Sequence, residues 1–349
     1  MNRNRLYTPY ELKGLSLRNR IVMAPMCQYA VEAEDGIPNE WHYVHYVSRA
    51  VGGAGLILIE MTDIEPDGRI TDNCLGLWSD AHTPAFARIV SEVHKHGAKV
   101  GIQIAHAGRK AQDAPQPVGP SDIPFSASSP KPRALSTEEV RAMVGKFRDA
   151  ARRAVEAGVD TIELHGAHGY LIHQFHSPLV NNRADEYGRD LALFGSEVIQ
   201  AVKSVMPPDM PLIIRVSAAE YAEGGYDLAR GLEIFRRYRD AGADLFHVSS
   251  GGEGPVGAQG SAVYPGYQVP LARGLKAALD VPVIAVGQLD DAKLADATVA
   301  HGDADLVAVA RGMLRDPYWP LHAIQAVAAD KEAAAGSAEL IPRAYKRGY

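Results

Sequence analysis

The chain has 349 residues, with 36 Lys+Arg against 42 Asp+Glu and a formal net charge of −6. At 46% hydrophobic and 22% charged residues, the composition is that of a folded globular protein, not a disordered one, and the mild acidity argues against a broad DNA- or RNA-binding surface. Two cysteines, Cys27 and Cys74, are too few for a disulfide framework and fit a reducing compartment.

In chain order, the first segment, residues 1–14, lacks the apolar core of a secretory signal. No apolar run approaches the roughly 18 residues of a membrane span. The expectation is a soluble, cytoplasmic protein that meets neither nucleic acid nor membrane. Eight short apolar runs then recur: Arg20–Met23, Leu56–Ile59, Lys99–Ile104, Val159–Leu164, Pro211–Val216, Asp244–Val248, Pro282–Val286 and Asp305–Val309. Runs this short and apolar predict strands buried on both faces. Longer segments with helical spacing lie between them. The clearest is Glu138–Ala157, where Val140, Met143, Val144, Phe147, Ala151, Ala154 and Val155 share one stripe behind a cap at Ser136 or Thr137. Gly97, Gly158, Gly242 and Gly302 mark helix ends just before the next strand. Eight β-then-α units without a composition break predict a (β/α)8 TIM barrel over a doubly wound open sheet. The Pro- and Ser-rich connection Ala111–Ser136 follows strand 3 and is expected to cover the upper face as a lid. The tail, from about Ala333 to Tyr349, has no helical periodicity.

In such a barrel the site lies at the C-terminal strand ends. Strand 1 leads into Pro25-Met26-Cys27-Gln28-Tyr29 and strand 2 into Glu60-Met61. Strand 3 carries Gln103 and ends at His106, and strand 4 leads into His165-Gly-Ala-His168-Gly-Tyr170. Strand 5 contains Arg215. Glycine turns follow strands 6 and 7, the latter at Gly287, and strand 8 leads into Ala310-Arg311-Gly312, the arrangement of a barrel phosphate cup. A charge inside an apolar strand needs a partner. Arg215 therefore either pairs with Glu60 or Glu163 or faces an anionic cofactor. His165 and His168 have the i,i+3 spacing of metal ligands, but His42/His45 and His173/His176 share it. Without HExxH or a carboxylate ending strand 1, no metal site is predicted. Two neutral imidazoles can instead donate to one developing oxyanion. His42 and His45, in a helix opened by Trp41-His42-Tyr43, are read as structural. Cys27, at a strand end, suits a tuning or reactive role; Cys74 is read as packing. Tyr170 stays protonated at neutral pH, as a proton donor must. Residues 252–257 match GxGxxG, but Pro255 and the following segment cannot start the helix that fingerprint needs, so a Rossmann site is rejected.

Taken together, several ordered motifs resemble the old yellow enzyme family of FMN-dependent ene-reductases, and within it the cysteine-containing thermophilic-like branch. They are Leu17-Arg-Asn-Arg-Ile-Val-Met-Ala-Pro-Met-Cys-Gln-Tyr29, Gly101-Ile-Gln-Ile-Ala-His-Ala-Gly-Arg-Lys110, His165-Gly-Ala-His-Gly-Tyr-Leu171, Ser177-Pro-Leu, Arg215-Val-Ser, Arg311 through Arg315-Asp-Pro317, and Tyr345-Lys-Arg-Gly-Tyr349. The resemblance implies one FMN-binding barrel domain over 1–349, with NADPH or NADH as reductant and activated alkenes such as enones or nitroalkenes as substrates. It implies that Ala24, Pro25, Met26 and Cys27 lie against the flavin, with the Cys27 thiol near N5. Met61 is a further flavin contact, where relatives usually have a small residue. Gln103 would bond the pyrimidine edge and Arg215 would face N1/C2=O. Gly287, Ala310 (in place of a usual glycine) and Arg311 would hold the phosphate. His165 and His168 would grip the substrate oxygen, Tyr170 would protonate Cα, and Tyr29 and Lys110 would line the substrate pocket. Arg347, in a tail reaching a neighbouring subunit, would enter that subunit's site, which implies a homodimer or homotetramer. The segment after Gly188 is shorter than in relatives. Two rivals are a tRNA dihydrouridine synthase, which needs a basic RNA surface, and a metal-dependent hydrolase barrel.

Overall fold

All eight apolar runs form strands of one parallel sheet in the computed structural model, which describes residues 5–254, 263–328, 338 and 340–348. The strands are β1 (Ile21–Met23), β2 (Leu56–Asp63), β3 (Lys99–Ala105), β4 (Thr161–Gly166), β5 (Leu212–Ser217), β6 (Leu245–Ser249), β7 (Val283–Ala285) and β8 (Leu306–Val309). Each pairs with its sequence neighbour, and β8 pairs back onto β1 with Val307 opposite Ile21, closing a (β/α)8 TIM barrel. Helices α1 (Glu40–Val51), α2 (Thr83–Lys95), α3 (Thr137–Glu156), α4 (Leu193–Lys203), α5 (Leu228–Ala241), α6 (Val269–Leu279), α7 (Ala292–Ala300) and α8 (Trp319–Val327) alternate with the strands.

The strands read as continuous apolar runs because both of their faces are buried. In β2, Leu56 and Leu58 point into the barrel with Val22, Ile213, Leu245, Ile284 and Leu306. Ile57 and Ile59 point outward into the layer shared with the helices, which also holds Phe86, Phe147 and Phe235. The helices supply one apolar stripe each. In α3 that stripe is Val140, Met143, Phe147, Ala150, Ala151 and Ala154. Ser136 caps it, accepting from the Glu139 amide, while the Glu139 carboxylate accepts from the Ser136 amide, a reciprocal arrangement worth about 1 kcal/mol. The four helix-ending glycines, Gly97, Gly158, Gly242 and Gly302, all have positive φ.

Three features depart from the sequence reading. An antiparallel hairpin, Tyr10–Leu12 with Leu15–Leu17, plugs the N-terminal end of the barrel with Leu15 and Leu17; its strands are too short to show periodicity. Strand β2 runs four residues beyond Ile59, through a bulge between Ile59 and Thr62 that holds Glu60 and Met61. The tail forms a 3-10 turn over Arg343–Gly348. The connection Ala111–Ser136 folds on itself through a small ladder between Val118–Gly119 and Arg133–Ala134. Residues 255–262, which include the second half of the rejected GxGxxG match, and 329–337 lie outside the described residues, and the next helix described after Gly254 is α6, from Val269.

Candidate active site

Strand β4 ends in a turn that brings three rings together. His165 stacks edge-on against His168, 5.1 Å between centroids, and against Tyr170 at 4.7 Å. His168 has φ +58° and Gly169 φ +75°. A non-glycine residue in that region is uncommon and must be held. The His168 amide donates to Ser217 Oγ at 3.0 Å, and Lys110 Nζ donates to the His168 carbonyl at 2.7 Å. A side chain at Gly252 would collide with the His168 backbone, so the loop after β6 packs directly on the turn. The His165 Nδ1 accepts from the Ala167 amide at 3.2 Å, which leaves the ring proton on Nε2. His168 Nε2 lies 2.7 Å from Ser249 Oγ. Burial, then the neighbouring Arg215 charge, holds both imidazoles well below their ordinary pKa. Both rings are therefore neutral. Burial pushes the Tyr170 phenol well above its ordinary value, so it keeps its proton.

Arg215 lies level with His165 on β4 and His247 on β6. It has no ion pair among the described residues, which sets aside pairing with Glu60 or Glu163. Glu163 is occupied, accepting from Gln103 Nε2 at 2.7 Å and paired with His247 Nδ1 at 2.8 Å. The buried Arg215 Nε has no hydrogen-bond partner. Burial lowers the Arg215 pKa, with the Glu163 charge opposing. From Arg215 a cleft of about 420 Å³ runs along the ends of β6, β7 and β8, past Ser249, Gln268, Gly287 and Ala310 to Arg311. The neighbouring Arg315 is tied to Asp290, whereas Arg311 has no ion pair among the described residues. The cleft thus has Arg215, with its unpartnered buried Nε, at one end and the exposed Arg311, without an ion pair among the described residues, at the other.

The segment after β1 lies next to the end of β8. Ala24 and Pro25 are buried, and Met26 and Cys27 half-buried. Ala24 is fixed by its amide, which donates to Val309 O. Glu60, in the β2 bulge, accepts from the Gln28 amide at 2.6 Å and from Tyr46 Oη at 3.0 Å. Burial lifts its carboxyl to about 7, against the pull of those two donors. Burial, then the Glu60 charge, holds the Cys27 thiol well above its ordinary pKa. Cys27 is thus a thiol, not a thiolate nucleophile. Met61 and Cys74 pack in an apolar cluster that touches Cys27 and Tyr170. Cys74 is structural, as expected, but it lies beside the site. His42 is structural as well: it closes the capping box of α1 with Asn39.

The connection Ala111–Ser136 covers the mouth. Tyr29, Ile70, Lys110, Phe125, Ser126 and Tyr170 line a cavity of about 440 Å³ beneath it. Two charges pin this lid. Arg109 donates to the Ile123 and Pro124 carbonyls at 3.2 and 3.0 Å, and to Glu253 Oε2, beyond β6, at 2.5 Å. Lys110 donates to Gly252 O at 2.5 Å and lies 4.1 Å from the Phe125 ring centre; burial lowers its ammonium to about 8. The structure thus gathers the residues predicted from sequence around one mouth, except Arg347, which is exposed on the 3-10 turn. Sequence reading missed Gln268, whose Oε1 accepts from Ser250 Oγ at 2.7 Å and lies 3.2 Å from Ser249 Oγ, and whose Nε2 donates to Val286 O. It also passed over the Arg109–Glu253 pair, and it named Glu60 only as an alternative partner for Arg215, not as the acceptor for Gln28 and Tyr46. No spacing could reveal these, since each partner comes from a different β/α unit.

Residues 5–330 match the NADH:flavin oxidoreductase / NADH oxidase family. The chain is 42% identical over 347 residues to an NADPH dehydrogenase of Geobacillus thermodenitrificans, covering 99% of this chain and 98% of that one. It is 45% identical over 319 residues to an NADPH dehydrogenase of Listeria monocytogenes, covering 90% and 93%. Among solved structures, morphinone reductase superposes with a TM-score of 0.81 at 28% identity, covering 95% of this chain and 92% of that one. A 2-naphthoyl-CoA reductase complex superposes with a TM-score of 0.86 at 24% identity, and this chain spans 52% of its length; that likeness speaks to the fold alone. The donor set fits FMN: the orphaned Arg215 Nε meets the need of an electron-rich ring edge, and the free Arg311 suits a phosphate. The chain therefore belongs to the old yellow enzyme family, and it is an NAD(P)H:flavin oxidoreductase with FMN as cofactor and a nicotinamide as reductant.

Proposed function

We propose that the protein reduces the activated C=C bond of α,β-unsaturated aldehydes, ketones, imides or nitro compounds in a ping-pong cycle. FMN, when bound, would supply the hydride-transfer chemistry between NADPH or NADH and the substrate β-carbon. The chain's own residues bind, polarise and protonate. His165 donates from Nε2 to the substrate's carbonyl or nitro oxygen. The single Ser249 hydroxyl proton goes to His168 Nε2, at 2.7 Å the shorter of its two contacts, and not to Gln268 Oε1 at 3.2 Å, which accepts from Ser250 at 2.7 Å. His168 then carries its proton on Nδ1 and gives the substrate oxygen a second donor. Each neutral donor of this kind contributes about 3 kcal/mol to stabilising a developing oxyanion. Tyr170 delivers its phenolic proton to Cα. Arg215 balances negative charge on the cofactor's pyrimidine, with Gln103 at the same edge, and Gly287, Ala310 and Arg311 hold the phosphate. Ala24, Pro25, Met26 and Met61 pack the ring, and Cys27 tunes its potential as a neutral thiol. Tyr29 and Lys110 bound the substrate beneath the lid, and Arg347 of a second copy completes the mouth in a dimer or a tetramer of such dimers.

The observation that carries this reading is the meeting of His165, His168 and Tyr170, with ring centres 4.7 and 5.1 Å from His165, beside the unpaired Arg215. Anaerobic stopped-flow tests it: NADPH or NADH should bleach the flavin, and 2-cyclohexenone mixed afterwards should restore its colour. Flavin that neither nicotinamide reduces, or reduced flavin that no enone reoxidises, refutes it.

A further inference from the structure

The turn carrying His168 and Tyr170 rests on a buried group that touches neither cavity. The Gly169 amide donates to His173 Nδ1 at 3.0 Å. His173, in the short helix Leu171–His176, is fully buried. Its other nitrogen, Nε2, lies 3.2 Å from Glu220 Oε1 and 3.0 Å from Tyr226 Oη. Tyr226 donates its own proton to Ser217 O at 2.7 Å, so towards His173 it is an acceptor. Glu220, also fully buried, accepts the Tyr226 amide on Oε2 at 2.8 Å.

These contacts admit one arrangement of protons. The Gly169 N–H requires a lone pair on Nδ1, so the His173 proton sits on Nε2, where two acceptors await it. The other neutral tautomer would set two donors against each other at Gly169, and the doubly protonated ring would do the same. The Glu220 carboxylate thus selects the tautomer that can hold the amide between His168 and Tyr170. That amide belongs to the second of two consecutive left-handed residues, whose conformation turns His168 and Tyr170 back towards His165.

We propose that His173 is a positioning residue for the reaction, with its tautomer set by Glu220: it holds the Gly169 amide so that His168 and Tyr170 converge on the substrate oxygen and Cα. This rests on the ene-reductase reading above.

The test uses FMN-loaded protein titrated with 4-hydroxybenzaldehyde. A phenolate held between His165 and His168 over oxidised flavin produces a long-wavelength charge-transfer band, which reports the geometry of the two imidazoles without turnover. His173→Leu should weaken the phenol by about tenfold or more, the scale of one lost hydrogen bond to a positioned group, while FMN affinity stays within about twofold. His173→Asn keeps an acceptor oxygen near the Nδ1 position and should restore phenol affinity to within about threefold of wild type. Glu220→Gln must turn its amide NH2 towards either His173 Nε2 or the Tyr226 amide, and should weaken the phenol by about threefold or more. If His173→Leu fails to fold, the contrast between the Asn and Gln variants decides the matter. Wild-type phenol affinity in His173→Leu, or an Asn variant as weak as Leu, overturns the proposal. So does a Gln variant that binds as tightly as the Asn variant. A wild-type holoenzyme without the band overturns the ene-reductase reading and this proposal with it.

Discussion

Arg215 offers a test in which two quantities should move in opposite directions. Its guanidinium is buried, its Nε has no partner, and the nearest carboxylate, Glu163, is occupied by Gln103 and His247. An unsatisfied buried polar group costs about 1–3 kcal/mol, and an unpaired buried charge is the expensive case. Arg215→Met keeps most of the side-chain volume in β5 and removes that cost. The FMN-free variant should therefore be more stable than the FMN-free wild type by about 2 kcal/mol, a Tm rise of about 2–4 °C for a chain of this length. FMN should bind about 10–100-fold more weakly, because a charge-assisted contact worth about 1.5–3 kcal/mol is lost. Thermal scans of the stripped protein across an FMN titration read both effects, since stabilisation by a ligand follows its concentration relative to Kd. An FMN-free variant no more stable than wild type would mean that the guanidinium is satisfied within the fold. An unchanged FMN affinity would mean that it does not face the cofactor. Either outcome refutes the reasoning.

Two further predictions follow from single groups. Tyr170→Phe leaves the ring packing against His165 intact and removes only the proton, so enone reduction should slow by about 10²-fold or more while flavin reduction by NADPH stays within about threefold; equal loss in both half-reactions, measured by stopped-flow, removes the proton-donor role. Glu60 titrates near 7 in the folded protein, against 4.5 for an ordinary glutamate, because it is buried. Between those values the folded state holds a proton that the unfolded chain releases, so the Glu60 contribution makes stability fall as pH rises from about 4.5 to 7 and then level off. Glu60→Gln should flatten that slope, by at most about 3 kcal/mol over the window, in urea titrations at pH 5 and 7.5; parallel slopes in the two proteins would show that Glu60 titrates normally.

The barrel was legible because its signal is repeated. Each strand is an apolar run closed by polar or glycine residues, and each repetition adds to the others. The site was legible where its residues sit next to one another in sequence, as in His165–Tyr170, and where a charge interrupts an apolar strand, as Arg215 does. Legibility failed where partners come from different units. Glu253 lies 144 residues from Arg109, and Gln268 reaches the cleft from the N-cap position of α6. Nothing near Cys74 in sequence places it beside Cys27, because the loop after β2 brings it there. The β2 bulge was hidden for another reason: Glu60 and Met61 were visible as residues, but β2 is buried on both faces and has no two-residue alternation for an extra residue to shift.

The Arg109 clamp has a consequence for anyone who would redesign the mouth. One guanidinium holds the Ile123 and Pro124 carbonyls of the lid and the Glu253 carboxylate of the loop beyond β6. The two loops are a single mechanical part, although they are encoded far apart. A lid grafted from a relative would arrive without the Arg109–Glu253 pair it was shaped against, and the buried Arg109 would lose the Ile123 and Pro124 carbonyls it now holds. Loop exchange in this barrel is therefore a matter of moving the lid, Arg109 and the 250–254 segment together as one cassette.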